Sequence, residues 1–408
     1  MRHGVQTRES EDRDESSRIR SLHCAYSTRH WTWGGAVTSL GTGPISVALA
    51  GDVMIGRGVD QIMRHPGDPT LHETWARSAL RYVELAEEKS GPIPRGVGPA
   101  YVWGDSPDRL ADAGVDVRIV NLEAALTARG RPWPGKGIHY RAHPENAQCL
   151  IAGRIDVAVV ANNHILDWSE QGLGDTLDTL DRLGVGRTGA GADQSEAWSP
   201  ASVTIERSGR VLVLGLGSPS GGVDPGWEAG PDRPGVAFLG SFSEVCIERI
   251  DQTIDGSRRP GDVVVVSIHW GPNWGHGIPS AHRRFARALI DDVGVDVVHG
   301  HSSHHPMGFE IYHGRLILYG CGDLLTDYEG ILGHEEFRPE LGAWYLAALD
   351  ADTGVLQDLR IIPTKVNRFQ LTTPSQDEMD WLVGLFQDKS VTPGFRIERQ
   401  QDLLTVQW

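Results

Sequence analysis

Short apolar runs recur along the chain, and each stops on polar or glycine-rich residues. They are Ile45 to Ala50, Asp116 to Val120, Asp156 to Val160, Val211 to Leu216, Asp262 to Ile268 and Val295 to His299. Runs of this length with polar ends predict buried strands. Between them, Leu173 to Leu183 and His282 to Asp292 repeat apolar residues at three- and four-residue intervals, which predicts amphipathic helices. The alternation predicts an α/β fold with a largely parallel sheet. Later, Gly308 to Tyr312 and Arg315 to Tyr319 flank His313-Gly314, the pattern of a hairpin with a two-residue turn. Ala343 to Leu349 and Val355 to Pro363 read as another antiparallel pair, so the late chain is expected to add a second, more antiparallel sheet. The Gly- and Pro-rich stretches 91–99, 131–137 and 218–235 read as insertions.

Composition narrows the class. Hydrophobic residues make up 39% and charged residues 23% of 408, enough apolar content to bury a core. The formal charge of −16 opposes binding to nucleic acid or anionic lipid, so neither is expected as a partner. Cys24, Cys149, Cys246 and Cys321 form no C-x-x-C pair, which argues against a zinc ribbon or a disulfide framework. Residues 1–41 mix charges without an apolar core and read as a disordered or non-native extension, leaving 42–408 as one domain. No run reaches the ~18 apolar residues of a membrane span. A cytoplasmic protein is expected.

In open α/β sheets ligands gather beyond the carboxyl ends of the strands. There the sequence places Asp52, then Asn121-Leu122-Glu123, Asn162-Asn163-His164, His269-Trp270-Gly271 and His301-Ser302-Ser303-His304. Each has an ordinary structural use: Asp52 could cap a helix, the asparagines a turn, and His269 could be a core residue. Carboxylate, amide oxygen and imidazole are also the ligands of divalent cations, and five such groups at successive strand ends favour a site.

Taken in order, Gly51 to Arg57, Asn121 to Glu123, Ala161 to Asp167, His269 to Gly271, Gly300 to His304 and Leu318 to Asp323 resemble the CapA family of poly-γ-glutamate synthesis proteins, which is similar to calcineurin-like metallophosphoesterases. The resemblance covers roughly residues 45–370 and implies a four-layer α/β/β/α sandwich of two mixed sheets. It places Asp52, Glu123, Asn163, His269, His301 and His304 where phosphoesterases hold two metals, and His164 at their catalytic acid. The family's D-x-H is here Asp52-Val53-Met54, Glu123 stands for its second aspartate, and its G-N-F is Gly322-Asp323-Leu324. An incomplete metal set is therefore expected.

Soluble members of the family resemble epimerases of lasso-peptide precursors, and inversion of a peptide Cα by two-base proton transfer is the leading functional expectation. It needs an acid and a base on opposite faces and no cofactor. Asp52 is the first candidate, with Glu123, His164, His301, His304 or His334 as its partner. Arg57 and Arg338 could hold a substrate carboxylate. Asn163 and His269, with tryptophans 168, 270 and 274, and in the wider set 103 and 133, could line a cleft for a ribosomal precursor peptide, the expected partner. The alternatives are a hydrolase using Mn, Zn or Mg on a phosphoester or γ-glutamyl amide, a polyglutamate synthesis accessory protein, and a noncatalytic binding module. Oligomeric state is left open.

Overall fold

The strand Ile45–Val53 is buried at every residue, as its apolar run requires, and it sits in the middle of the larger of two main sheets. The computed structural model describes residues 43–206 and 209–408, so the extension expected at 1–41 lies outside the described residues. On one side Ile45–Val53 pairs in parallel with Val117–Leu122, which is followed by Val157–Val159 and Gly186–Thr188. On the other it pairs antiparallel with Leu341–Leu349, followed by Leu356–Asn367, Leu403–Gln407 and Arg396–Gln400. The second sheet runs Phe309–Tyr312, Arg315–Leu318, Val297–His301, Asp262–His269, Gly209–Gly217, Ala201–Ile205.

The fold is thus α/β with mixed sheets, but the division expected between an early parallel and a late antiparallel sheet is corrected. The late strands Leu341–Leu349 and Leu356–Asn367 complete the first sheet, while the Phe309–Leu318 hairpin joins the second. Apolar periodicity marks strands without fixing their neighbours, which are chosen by contacts far apart in sequence.

Alternate residues of the second sheet serve two cores, as a two-residue period demands. Val211, Val213, Val263, Val265 and Val297 share one core with the first sheet, while Leu212, Leu214, Val264, Val266 and Val298 pack with Ile250, Phe285 and Leu289 of the helices Glu244–Asp255 and Ser280–Asp291. The helix expected from Leu173 begins earlier, at Ser169, and stops at Leu183, where Gly184 takes the left-handed conformation that closes a helix end. No helix among the described residues is long and apolar enough to cross a membrane.

Candidate functional site

The parallel strands of both sheets deliver their carboxyl ends to one place. In the first sheet, three residues of Ile45–Val53 from Leu49 to Asp52 span the interval that two residues fill in Val117–Leu122, a bulge that re-aims the strand at Asp52. Gly51 lies so close to the returning chain that a Cβ there would stand 1.9 Å from the Gly322 carbonyl oxygen. Asp52 is fully buried. Its Oδ1 accepts from Asn121 Nδ2 at 2.7 Å, and its Oδ2 from the Ser302 amide at 3.3 Å. Ser302 holds φ at 103°, a strained value for a residue with a side chain, at the turn out of the histidine strand.

In the second sheet, His269 and His301 end adjacent parallel strands in register, with Ser267 and His299 one step behind them. All four share the side of Val265 and Val297, facing the first sheet. The strand expected to end at His299 runs on to His301, which makes the two histidines same-face neighbours. His269 Nδ1 and His301 Nδ1 approach to 2.9 Å, and His301 Nδ1 lies 3.8 Å from Asp52 Oδ1. Beyond the strand, His304 Nδ1 meets Asp323 Oδ1 at 2.9 Å.

These contacts define two groups able to hold a cation, Asp52 with His269 and His301, and Asp52 with His304 and Asp323. Asp52 belongs to both. Within the buried cluster His269 Nε2, Glu123 Oε2 and Asp323 Oδ2 have no hydrogen-bond partner, nor does Asn163 Oδ1 beside it. Unpartnered buried polar atoms are costly, and a divalent ion is the kind of group that relieves such a set. Burial, reinforced by the charge of Asp323, pushes the Asp52 carboxyl up to about 7. Glu123 is raised too, by burial and then by Asp52. Burial lowers His269 and His301, which keeps them neutral and fit to be ligands. At His304 burial pulls the imidazole down, but the charge and hydrogen bond of Asp323 together with the charge of Asp52 outweigh it, and the imidazole is raised.

The family of bacterial capsule synthesis proteins called PGA_cap matches residues 46–328, a span that contains every residue of both groups. The chain belongs to this family. Among curated relatives, a probable polyglutamine synthesis accessory protein of Mycobacterium tuberculosis is 44% identical over 361 residues, covering 88% of this chain and 95% of its own. The PGA biosynthesis protein CapA of Bacillus subtilis is 28% identical, covering 69% of this chain and 63% of its own, and the capsule biosynthesis protein CapA of Bacillus anthracis is 24% identical.

In this PGA_cap chain, His164 stands beside the shared aspartate's cluster, its Nδ1 2.6 Å from Asp167 Oδ2 and its Nε2 3.6 Å from Glu123 Oε1. Lys136, carried in by the Gly- and Pro-rich loop at 131–137, bonds Asp167 and the Asn163 carbonyl and lies 3.1 Å from His164 Nδ1. His334 is set apart from the cluster. It stacks on Trp274 at 3.7 Å, and Trp274 in turn lies 5.5 Å from His304. Trp168 is buried beneath Arg141, and Trp270 is packed in the second core on His282, its indole donating to the Tyr319 carbonyl. Trp103 is likewise core, while Trp133 sits edge-on to Trp227.

One expected substrate anchor is corrected, and a second is partly engaged. Arg57 is buried with its guanidinium turned to Asp327, Glu73 and Tyr82, which take four of its five N–H groups, so the side chain is engaged within the fold. Arg338 donates to Glu340 and Glu378. Four contributors stood in the sequence without the role the structure gives them. Asn121 orients Asp52, Asp167 and Lys136 brace His164, and Asp323 completes the second group. Asp323 was in view only as a departure from G-N-F, and its carboxylate was the available signal.

Proposed function

We propose that this chain is a divalent-metal-dependent hydrolase of CapA type that cleaves an amide or phosphoester bond of a carboxylate-rich polymer. One observation carries the reading: two buried groups of ligand-type side chains share Asp52 and would together offer places for two ions. Asp52, His269 and His301 would hold one ion and Asp52, His304 and Asp323 the other. Bound there, the ions would supply Lewis-acid polarisation of the scissile group. Three carboxyl groups, Asp52, Glu123 and Asp323, lie in or against the same buried cluster, and burial raises each of them, so bound cations would be what favours their ionised forms there. His164, held between Asp167 and Glu123, is placed to move a proton at the leaving group, and Lys136 fixes its dyad partner.

The polymer is read from the relatives, whose names speak of PGA biosynthesis and polyglutamine synthesis. Two sheets sharing a core, with helices on the far side of one, support the finer reading of a calcineurin-like four-layer sandwich. Free thiols at Cys149, Cys246 and Cys321 support a reducing, cytoplasmic setting. The epimerase expectation rests on the same Asp52, held near neutrality and paired across the cluster with His304.

The test begins with chelator-stripped protein. Mn, Zn or Mg is added back singly, with a γ-linked glutamate oligomer and a phosphate monoester as substrates. Turnover should appear only with an added ion. A rate that is the same in chelator sinks the hydrolase reading, and metal-independent uptake of deuterium at a peptide Cα in heavy water would put the epimerase in its place.

A further inference from the structure

The histidine strand carries a second imidazole, His299, that touches neither ligand group yet is fully buried behind them. Its hydrogen bonds can be assigned from one fixed point. His299 Nε2 lies 3.0 Å from the backbone carbonyl of Ala50, which can only accept, so Nε2 carries the hydrogen. His299 is fully buried with a carbonyl and a hydroxyl as its ring's hydrogen-bond partners and no carboxylate to offset a charge, so the ring is neutral and its Nδ1 is bare. That Nδ1 is 3.0 Å from Ser267 Oγ, and the serine must spend its only hydrogen there. Ser267 Oγ then has lone pairs alone to offer His301 Nε2, also at 3.0 Å, so that nitrogen carries a hydrogen too. With Nε2 occupied in this way, Nδ1 is the nitrogen left to bind, and it is the atom that faces His269 and Asp52.

We propose that Ser267 and His299 are positioning residues whose one-way hydrogen-bond relay from the Ala50 carbonyl locks His301 in the tautomer that presents Nδ1 as a metal ligand. This rests on the metal reading above. The relay starts on the Ile45–Val53 strand at the bulge and ends on the second sheet, so the tautomer depends on the two sheets being docked. The unpartnered Nε2 of His269 fits the same scheme. Against a bare His301 Nδ1 at 2.9 Å, His269 Nδ1 would be the donor, at the expense of its longer 3.5 Å contact with Asn121 Nδ2, and the partnerless Nε2 would be the bare nitrogen. Metal-bound imidazoles generally give their other ring hydrogen to a fixed acceptor, and loss of that acceptor typically weakens metal affinity 10- to 100-fold, on the order of what is expected here.

Full-length protein labelled with nitrogen-15 at histidine and stripped of metal should show His299 and His301 as Nε2–H tautomers in long-range proton–nitrogen spectra. Zinc titrated calorimetrically into Ser267→Ala should bind roughly tenfold or more weakly than into wild type, and Ser267→Thr, which keeps the hydroxyl, should recover affinity to within about threefold. An Nδ1–H tautomer at His301 in the wild-type protein overturns the relay, whether or not any variant folds. Zinc affinity unchanged in a folded Ser267→Ala overturns the relay and leaves the metal centre standing. Correct tautomers in a wild-type protein that binds no zinc, manganese or magnesium overturn the metal centre itself, and the relay's role with it.

Discussion

Replacement of Arg57 by methionine separates a structural role from a substrate-binding one. The guanidinium gives Nε and Nη2 to the two oxygens of Asp327, at 3.1 and 2.5 Å, and Nη1 to Glu73 and Tyr82, at 3.0 and 2.5 Å. It also lies 3.7 Å from the Tyr82 ring centre, and the side chains of Arg57, Glu73 and Asp327 are all but fully buried. Removing one partner of a buried ion pair costs about 3–5 kcal/mol, because the remaining charge is stranded. An independent route gives the same size. A stranded carboxylate that takes up a proton at pH 7, about three units above its ordinary value, does so at ~1.4 kcal/mol per unit, or about 4 kcal/mol. The second route also sets a sign. The folded variant would then bind a proton that its unfolded chain lacks, so its stability rises as pH falls. The deficit against wild type should shrink by ~1.4 kcal/mol per unit between pH 7 and pH 5. Urea unfolding followed by tryptophan fluorescence at both pH values measures this. A loss under about 1 kcal/mol with no pH slope would refute the reasoning and return Arg57 to the list of substrate contacts.

Gly51→Ala should leave little folded protein, or fold with Asp52 displaced and ion affinity reduced at least ~10-fold, because the new Cβ would meet the Gly322 carbonyl at 1.9 Å; normal circular dichroism with wild-type zinc binding would contradict it. Divalent-ion affinity should drop as pH falls through about 7, since burial and then Asp323 hold the Asp52 proton to that value. Calorimetric titration should show a fall approaching ~10-fold per unit below that point, and a flat profile from pH 8 to pH 6 would count against Asp52 as a ligand. The same raised value makes the ion-free protein lose stability as pH climbs from 3.8 to about 7, a window read by thermal melts in chelator.

What the sequence disclosed follows from what local patterns encode. Buried strands announce themselves by apolar runs, and a polar residue just past such a run lies at the rim of an α/β sheet, so Asp52, His269, His301 and His304 were legible without coordinates. Pairing was not, because Leu341–Leu349 reaches the Ile45–Val53 strand across nearly three hundred residues that no short pattern spans. Roles set by a partner were hidden for the same reason. Arg57 reads as a free cation until Glu73 and Asp327 are placed around it, and Trp270 as a cleft aromatic until His282 stacks on it. Asp323 was hidden by comparison with a family pattern in which an amide stands. His299 was hidden by a strand end drawn two residues short.

The site joins parts that could not act separately. Asp52 comes from the bulged end of one sheet, and His269 and His301 from the ends of two strands in the other. Each sheet alone presents an incomplete set, the carboxylates Asp52 and Asp323 without His269 and His301, or those two imidazoles without a carboxylate. Docking the sheets brings the sets together and, in the same step, sets the Ala50 carbonyl against His299. Placing carboxylates and neutral imidazoles in a dry cluster with unpartnered atoms works against stability, and the raised Asp52 and lowered His269 and His301 are the signs of that tension. The surrounding ladder of Val211, Val213, Val263, Val265 and Val297, buried between the sheets, favours the docked state and so opposes that tension.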